Sequence, residues 1–178
     1  MKTKKEFAEK FEALKIEFAN YKKEHDAAAE AWRLSGYNDD DAYHAYCETE
    51  HLYKVAKRDM EYYGLLAGDA PIYANQVFYT DWEPWEVIEI KTDRCLVVRS
   101  MKAELTDKAV KALNDSFVPG GFCGHTNNGA QDWNITSDPD GKVGIIRRHK
   151  DGRFYVPGST GSKFYIEAEP YKFYDYNF

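Results

Sequence analysis

Hydrophobic and polar residues in the first 68 positions follow a helical period. Apolar or aromatic side chains recur at steps of four and three residues, at Phe7, Phe11, Leu14, Phe18, Tyr21, His25, Ala28 and Trp32. About four heptads of this spacing predict a long amphipathic helix with a coiled-coil-like seam. Thr3 and Glu6 precede it with the spacing of a capping box, which predicts that the helix begins there.

A second, less regular helical pattern follows Gly36. Asn38 or Asp39 is expected to cap this helix, whose inner positions are Ala42, Tyr46, Thr49, Tyr53, Ala56, Met60 and Tyr63. The short connection makes the two helices antiparallel, so residues 1–68 are predicted to form a helical hairpin.

A hairpin of two helices cannot bury both of its sides. Its aromatic surface is therefore expected to meet the second half of the chain, a second copy or a protein partner. The candidate partner-binding residues are Phe7, Phe11, Phe18, Tyr21, Trp32, Tyr46 and Tyr53.

From residue 69 onwards the pattern changes to short alternating segments separated by turn residues. All six Pro and nine of the twelve Gly lie here. Candidate strands are 76–80, 85–90, 94–101, 131–136, 143–149, 153–156 and 163–167, with a short amphipathic helix near 105–113. This order predicts an α+β protein in which 69–178 form a small antiparallel barrel or bent sheet with one inserted helix. The aromatic C-terminus is expected to be docked.

Composition narrows the possible functions without selecting one. The net charge of −6 is divided equally between 1–68 and 69–178, which disfavours a general polyanion binder but leaves room for a local basic patch. Aromatic residues make up 16% of the chain, which favours a binding role. Three dispersed Cys, no signal sequence and no long apolar run predict a cytoplasmic protein without a membrane span.

The segment 119–129 is the most unusual part of the sequence because it is rich in Gly, Asn and His. Successive amides of such a loop can bind an anion, and the candidate ligand-binding residues are Gly120, Gly121, His125, Asn127 and Asn128. The alternative, which we favour, is a compact loop that satisfies its own backbone. Cys123 and His125 are a weak nucleophilic pair, so no catalytic residue is assigned.

Two further clusters have a chemical and a structural interpretation. Arg147, Arg148 and Lys150 form the densest basic stretch and are the candidate nucleic-acid-binding residues, although charges on an edge strand also prevent aggregation. His44, Glu48 and His51 share one helical face near the level of His25. We interpret them as a solvated flank with His25 in the seam, so no metal or cofactor is predicted.

Several motifs of the second half resemble a group of small bacteriophage and mobile-element proteins. The resemblance covers about 77–178 and rests on 117–125, Asn127-Asn128, Gln131-Asp132-Trp133, Asp138-Pro139-Asp140-Gly141 and 174–178. That group has no established activity, so it transfers no site residue. It implies a phage-encoded cytoplasmic accessory protein, whose common roles include inhibiting a host defence or regulatory component.

These observations favour a non-enzymatic protein that acts by protein–protein binding, and the resemblance implies inhibition of a bacterial defence component, such as a CRISPR system, as its most concrete form. The partner, or a second copy, would bind through the hairpin. The alternatives are a small-ligand or nucleotide-binding module that uses the loop 119–129, and a nucleic-acid-binding β-barrel.

Overall fold

Two long antiparallel helices, α1 (Lys4–Leu34) and α2 (Asp40–Ala67), form the N-terminal hairpin. The computed structural model describes residues 3–116, 131–159 and 161–175, apart from the side chains of 113 and 116. The chain divides into two compact units, 1–70 with 150–152 and 71–149 with 153–178.

The ends of both helices are set by local hydrogen bonds. The Thr3 hydroxyl accepts a bond from the Glu6 amide at 3.3 Å, and the Glu6 carboxylate accepts one from the Thr3 amide at 2.6 Å. This is the predicted capping box. The Asp39 carboxylate caps α2 by accepting from the amide of Ala42 at 3.0 Å. Between the helices, Gly36 and Tyr37 both have positive φ, which reverses the chain within a few residues.

The hairpin is held together by rings that meet across the predicted seam. Phe18 stacks on Tyr53 with centroids 5.3 Å apart, and Trp32 stacks on Tyr46 at 4.9 Å. Phe7 is buried and meets Tyr63 at 6.2 Å. These aromatic pairs add to the area that the two helices bury against each other.

Six antiparallel strands close into a barrel in the second unit. Their order is β1 (Tyr73–Val77), β2 (Trp82–Thr92), β3 (Cys95–Ser100), β6 (Val143–Arg148), β7 (Phe154–Tyr155) and β8 (Lys163–Glu167), and β8 pairs again with β1. The predicted α+β fold, with a helical hairpin followed by a small antiparallel barrel, is therefore confirmed.

An insertion leaves the barrel between β3 and β6. It contains β4 (Lys102–Leu105), α3 (Asp107–Ser116) and β5 (Trp133–Thr136), and β4 and β5 pair as a separate two-stranded sheet. The strand β4 is not predicted by the sequence pattern, which indicates one strand over 94–101 and a helix near 105–113. The insertion returns at Lys142, whose carbonyl accepts a hydrogen bond from the Ser100 amide at 3.0 Å.

The barrel core is made by alternate residues of each strand. Leu96, Val98, Ile146, Phe154 and Phe164 are all at most 2% exposed. Because directly opposed residues share a face, the registers Leu96↔Ile146 and Phe154↔Phe164 place these side chains together inside the barrel.

The described part of the segment that follows β8, up to residue 175, docks on the outside of the barrel, as predicted for the aromatic C-terminus. Trp82 and Phe173 exchange two backbone hydrogen bonds, at 2.8 and 3.2 Å. The fully buried Asn75 donates to the Glu169 carbonyl at 3.0 Å and accepts from the Tyr171 amide at 2.8 Å. A β1 side chain that points away from the core is thus used to hold the C-terminal segment.

Candidate functional site

One end of the barrel contains an open cavity of about 510 Å³. Its lining comes from the end of β1, β3 and β7 and from the start of β2, β6 and β8, which antiparallel pairing brings to the same end of the barrel. Trp85, Val98, Ile146 and Phe164 supply apolar walls. The volume lies within the range of about 300–1,000 Å³ that is usual for ligand pockets.

Gly144 leaves this cavity open on the β6 side. It lies opposite Val98, which is 1% exposed, so its missing side chain would point into the barrel. A Cβ atom built at Gly144 meets no atom within 4 Å. The cavity therefore exists partly because residue 144 of β6 is a glycine and has no side chain to fill it.

Gln76 supplies a polar group to the otherwise apolar lining. It lies opposite Glu83 and Phe164, which places its side chain inside the barrel, and it is only 9% exposed. Within the described residues the amide has no hydrogen-bond partner. Its amide is not among the fully buried groups without a partner in the described ranges and reaches the open cavity, where a bound group can form a hydrogen bond with it.

The rim of the cavity is apolar and partly exposed. Phe78 and Val156 line it and are 44% and 39% exposed. Lys142 adds a positive charge at the edge, while the carboxylate of Glu83 pairs with the ammonium group of Lys172. A cavity with this rim, which we call the barrel mouth, is suited to an apolar group that enters from solvent.

A second feature lies on the outer surface of the barrel. Arg147 on β6 faces Tyr155 on β7, Tyr155 faces Lys163 on β8, and the row continues through Val77 to Trp82. Tyr165, two residues from Lys163 on the same strand, shares this outward face. We call the exposed or half-exposed members of this group, Arg147, Tyr155, Lys163, Tyr165 and Trp82, the outer band.

Rings and cations adjoin one another along the outer band. Trp82 stacks on Tyr165 with centroids 5.5 Å apart and planes inclined by 26°. The guanidinium of Arg153 lies 6.0 Å and the ammonium of Lys163 lies 5.9 Å from the centre of the Tyr165 ring. His149 meets Tyr155 with ring centroids 4.5 Å apart. The outer band thus combines positive charge with flat aromatic surface.

The three predicted nucleic-acid-binding residues do not share one surface. Arg147 is exposed on the outer band. Arg148 pairs with the buried Phe154 and points to the inner side of the sheet, where it is half-buried. Lys150 lies in the turn after β6. Sequence reasoning missed Lys163 and Tyr165, which strand pairing places beside Arg147 and Tyr155.

The candidate partner-binding residues lie in or near the seam between the helices. Besides the three ring pairs already described, the ring of Phe11 is 3.0 Å from the Cβ position of Gly64, and Tyr21 is half-buried. The large apolar side chains that the hairpin exposes are mostly others, including Ile16, Leu34 and Tyr37, which are 61–70% exposed. Partner binding through the seam residues remains a prediction.

His25 occupies the centre of the seam, as expected, whereas His44, Glu48 and His51 are exposed. Its ring lies between those of Tyr46 and Tyr53, with both centroid distances at 5.2 Å. Close by, Lys54 hydrogen-bonds to Glu50 and lowers the pKa of that carboxyl, an effect that burial opposes and the Tyr46 hydroxyl and His25 reinforce. Across the described ranges, no three His, Cys, Asp or Glu residues are placed to hold a metal ion.

The candidate ligand residues Gly120, Gly121, His125, Asn127 and Asn128 lie outside the described residues, and so does the Cys123–His125 pair. None of the helices in the described part of the chain is long and apolar enough to cross a membrane.

Comparison of the chain with protein-family models, with curated proteins and with solved structures gives no match. What the protein does must therefore be inferred from the geometry of its own residues.

Proposed function

We propose that this is a non-enzymatic binding protein whose barrel mouth receives an apolar side chain of a protein partner. The observation that carries the proposal is the cavity of about 510 Å³ with apolar walls and a rim of half-exposed Phe78 and Val156. Protein interfaces gain most of their affinity where a large side chain fills such a pocket and excludes water.

The barrel mouth is a stronger candidate for this contact than the aromatic seam of the hairpin. Phe18, Trp32, Tyr46 and Tyr53 already stack across the two helices, so much of their ring area is used within the hairpin. By contrast, the rim side chains surround an unfilled volume. A partner side chain could occupy that volume without displacing any group of the barrel.

Gln76 favours Tyr or Trp as the anchoring side chain. Both carry a hydrogen-bond donor on a large ring, and the carbonyl oxygen of the Gln76 amide can accept that donor from inside the cavity. An anchor with no polar group would leave the buried amide without a partner. The proposal therefore includes a preference for Tyr and Trp over Leu and Ile.

The resemblance of residues 77–178 to phage-encoded proteins directs the search for the partner to host defence and regulatory proteins. This inhibitory role is part of the proposal and rests on the resemblance alone. A second copy of the chain is the competing occupant of the barrel mouth, and size-exclusion chromatography with light scattering would identify it as a concentration-dependent dimer.

The test uses a substitution that fills the cavity. Gly144→Leu places a side chain in the open volume without a clash at its Cβ, and Gly161→Leu is the matched control because a Cβ there also meets nothing within 4 Å. Each full-length variant would be used to select from a library of random displayed peptides.

We expect wild type and Gly161→Leu to enrich peptides with a central Tyr or Trp, and Gly144→Leu to lose that enrichment. Gln76→Leu should shift the selected anchor towards Leu and Phe. Absence of any enriched anchor, or equal enrichment by Gly144→Leu, would contradict the proposal. Thermal melting of each variant separates loss of binding from loss of fold.

A further inference from the structure

We propose that the outer band binds single-stranded nucleic acid, with unpaired bases stacking on its rings and phosphates lying beside Arg147 and Lys163. This inference is independent of the proposed function, because it uses the outward-facing residues of β6, β7 and β8 and not the interior of the barrel mouth.

The charge of the outer band is available to a ligand. Among residues 3–116, 131–159 and 161–175, no carboxylate forms an ion pair with Arg147 or Lys163. The guanidinium of Arg153 lies over the ring of Tyr165. The protein as a whole carries a net charge of −6. Glu167 continues the same outward face of β8 beyond Tyr165, so the positive charge is concentrated between Arg147 and Lys163 and phosphates are expected to bind there.

The rings of the outer band are spaced as a stacking surface. Tyr155 and Lys163 are direct neighbours on adjacent strands, and Lys163 and Tyr165 are two residues apart on one strand, or roughly 6.7 Å. Tyr155 and Tyr165 therefore each have a cation within one strand spacing or one strand repeat. Alternation of this kind lets a base contact a ring while the adjoining phosphate contacts a cation.

This chemistry favours a single strand over a duplex. Bases in a duplex are stacked on each other, and their edges are read by a helix or ribbon that enters the major groove. The outer band consists of side chains on a sheet surface. Trp82 already covers part of the Tyr165 ring, and the ring area that remains can be used only by unpaired bases. A small barrel that presents aromatic and basic side chains on its strands is a common form of single-strand-binding protein.

The first experiment measures the electrostatic part of binding. Fluorescence anisotropy would follow labelled oligo-dT and oligo-U of about 12 nucleotides, a length within the site sizes of small barrels, on the full-length protein. The test variant is Arg147→Gln/Lys163→Gln. The matched control is Lys91→Gln/Lys102→Gln, which makes the same change in net charge at two exposed lysines outside the outer band.

We expect wild type to bind both oligonucleotides with an affinity that falls as salt increases. The band variant should lose at least roughly tenfold in affinity at low salt. Its log–log salt slope should become shallower by about 1.4, or about 0.7 for each phosphate contact removed. The control should match wild type. Equal losses in both double variants, or no binding by wild type at about 50 mM salt, would overturn the proposal.

The second experiment separates stacking from charge. Tyr165→Leu keeps an apolar side chain but removes the ring, and Tyr79→Leu makes the same change at a tyrosine that is 92% exposed outside the outer band. We expect a loss of about 5- to 150-fold for Tyr165→Leu, as for one stacked base, and none for Tyr79→Leu.

A duplex of the same length should bind more weakly than the single strand. Preference for the duplex, or an unchanged affinity in Tyr165→Leu, would show that the outer band is not a stacking site. Tyr165→Phe, which keeps the ring, should bind as wild type does. Every variant must melt within a few degrees of wild type, so that a loss of binding is not a loss of fold.

Discussion

The imidazole of His25 lies almost parallel to the phenol ring of Tyr53, with planes inclined by 9° and centroids 5.2 Å apart. The Nδ1 atom of His25 is buried and has no hydrogen-bond partner in the described ranges. The imidazole of His25 packs well between its neighbours, but it also places an unpaired polar nitrogen inside the seam. This nitrogen lowers the stability of the hairpin.

Replacing His25 by Phe should stabilise the protein. The phenyl ring keeps the stack with Tyr46 and Tyr53 and removes the unpaired nitrogen, a gain of about 1 kcal/mol or roughly 2–4 °C in Tm. Thermal unfolding followed by circular dichroism would measure it. His44→Phe, at an exposed position of α2, is the control and should change Tm little. A lower Tm for His25→Phe would show that the nitrogen is satisfied in solution.

Removing the Asn75 amide should weaken the attachment of the C-terminal segment. Asn75→Ala leaves the Tyr171 amide and the Glu169 carbonyl without their partner, which we expect to cost about 2–3 kcal/mol, or roughly 5–10 °C in Tm. Limited proteolysis should then cleave the chain after β8 sooner than in wild type. Asn134→Ala, at an exposed residue of β5, should leave both measurements unchanged.

Gly141 ends the turn 138–141, where the backbone approaches β3 closely. A Cβ there would clash with the carbonyl oxygen of Ser100 and lie 2.9 Å from that of Asp138. We expect Gly141→Ala to lower the free energy of unfolding by about 2–3 kcal/mol, measured by urea denaturation. Gly144→Ala should change it by less than about 0.5 kcal/mol, because that Cβ meets open space. Similar values for both would contradict the close approach.

Glu50 should make the stability of the hairpin depend on pH in the acidic range. The hydrogen bond from Lys54 holds the pKa of Glu50 below its ordinary value, so the ionised form stabilises the folded state above the unfolded pKa of about 4.3. That contribution is lost as pH falls through the folded pKa. We therefore expect Glu50→Gln to lower Tm at neutral pH.

The difference between wild type and Glu50→Gln should disappear in acid, where both side chains are uncharged. Melting curves at several pH values would check this, with Glu48→Gln, at an exposed residue of the same helix, as the comparison. A difference that persists below the folded pKa would mean that the effect of Glu50 comes from packing.

The hairpin could be predicted in detail because its information is local. The capping box of Thr3 and Glu6 follows from a spacing of three residues, and the pairing of Phe18 with Tyr53 follows from the period of each helix and their short connection. No long-range pairing had to be known. The sequence also placed His25 in the seam, because it takes an apolar position of the heptad.

The end of the first barrel strand was predicted too late because the turn that follows it contains aromatic residues. The expected first strand, 76–80, contains Phe78 and Tyr79, which look like strand residues. In the structure β1 ends at Val77, and the amide of Phe78 donates to the Asp81 carbonyl at 3.0 Å to form the turn. The last strand, 163–167, was predicted at its observed position.

The barrel mouth could not be recognised from the sequence, and of the outer band the basic strand with Arg147 was predicted but not its neighbours Lys163 and Tyr165, because both features depend on strand pairing. Lys163 and Arg147 are neighbours only because β7 lies between β8 and β6. Gln76 is a cavity residue only because its register with Phe164 turns it inward. Arg148 shows the opposite effect, since it belongs to a basic run and yet points to the inner side of the sheet.

The hydrogen bond between Ser100 and Lys142 marks the place where the chain leaves the barrel and returns to it. Since β3 pairs directly with β6, closure of the barrel does not pass through residues 101–141. Insertions, deletions or replacement of residues 101–141 should therefore leave the barrel intact. Relatives of this protein are expected to differ most in length between Ser100 and Lys142.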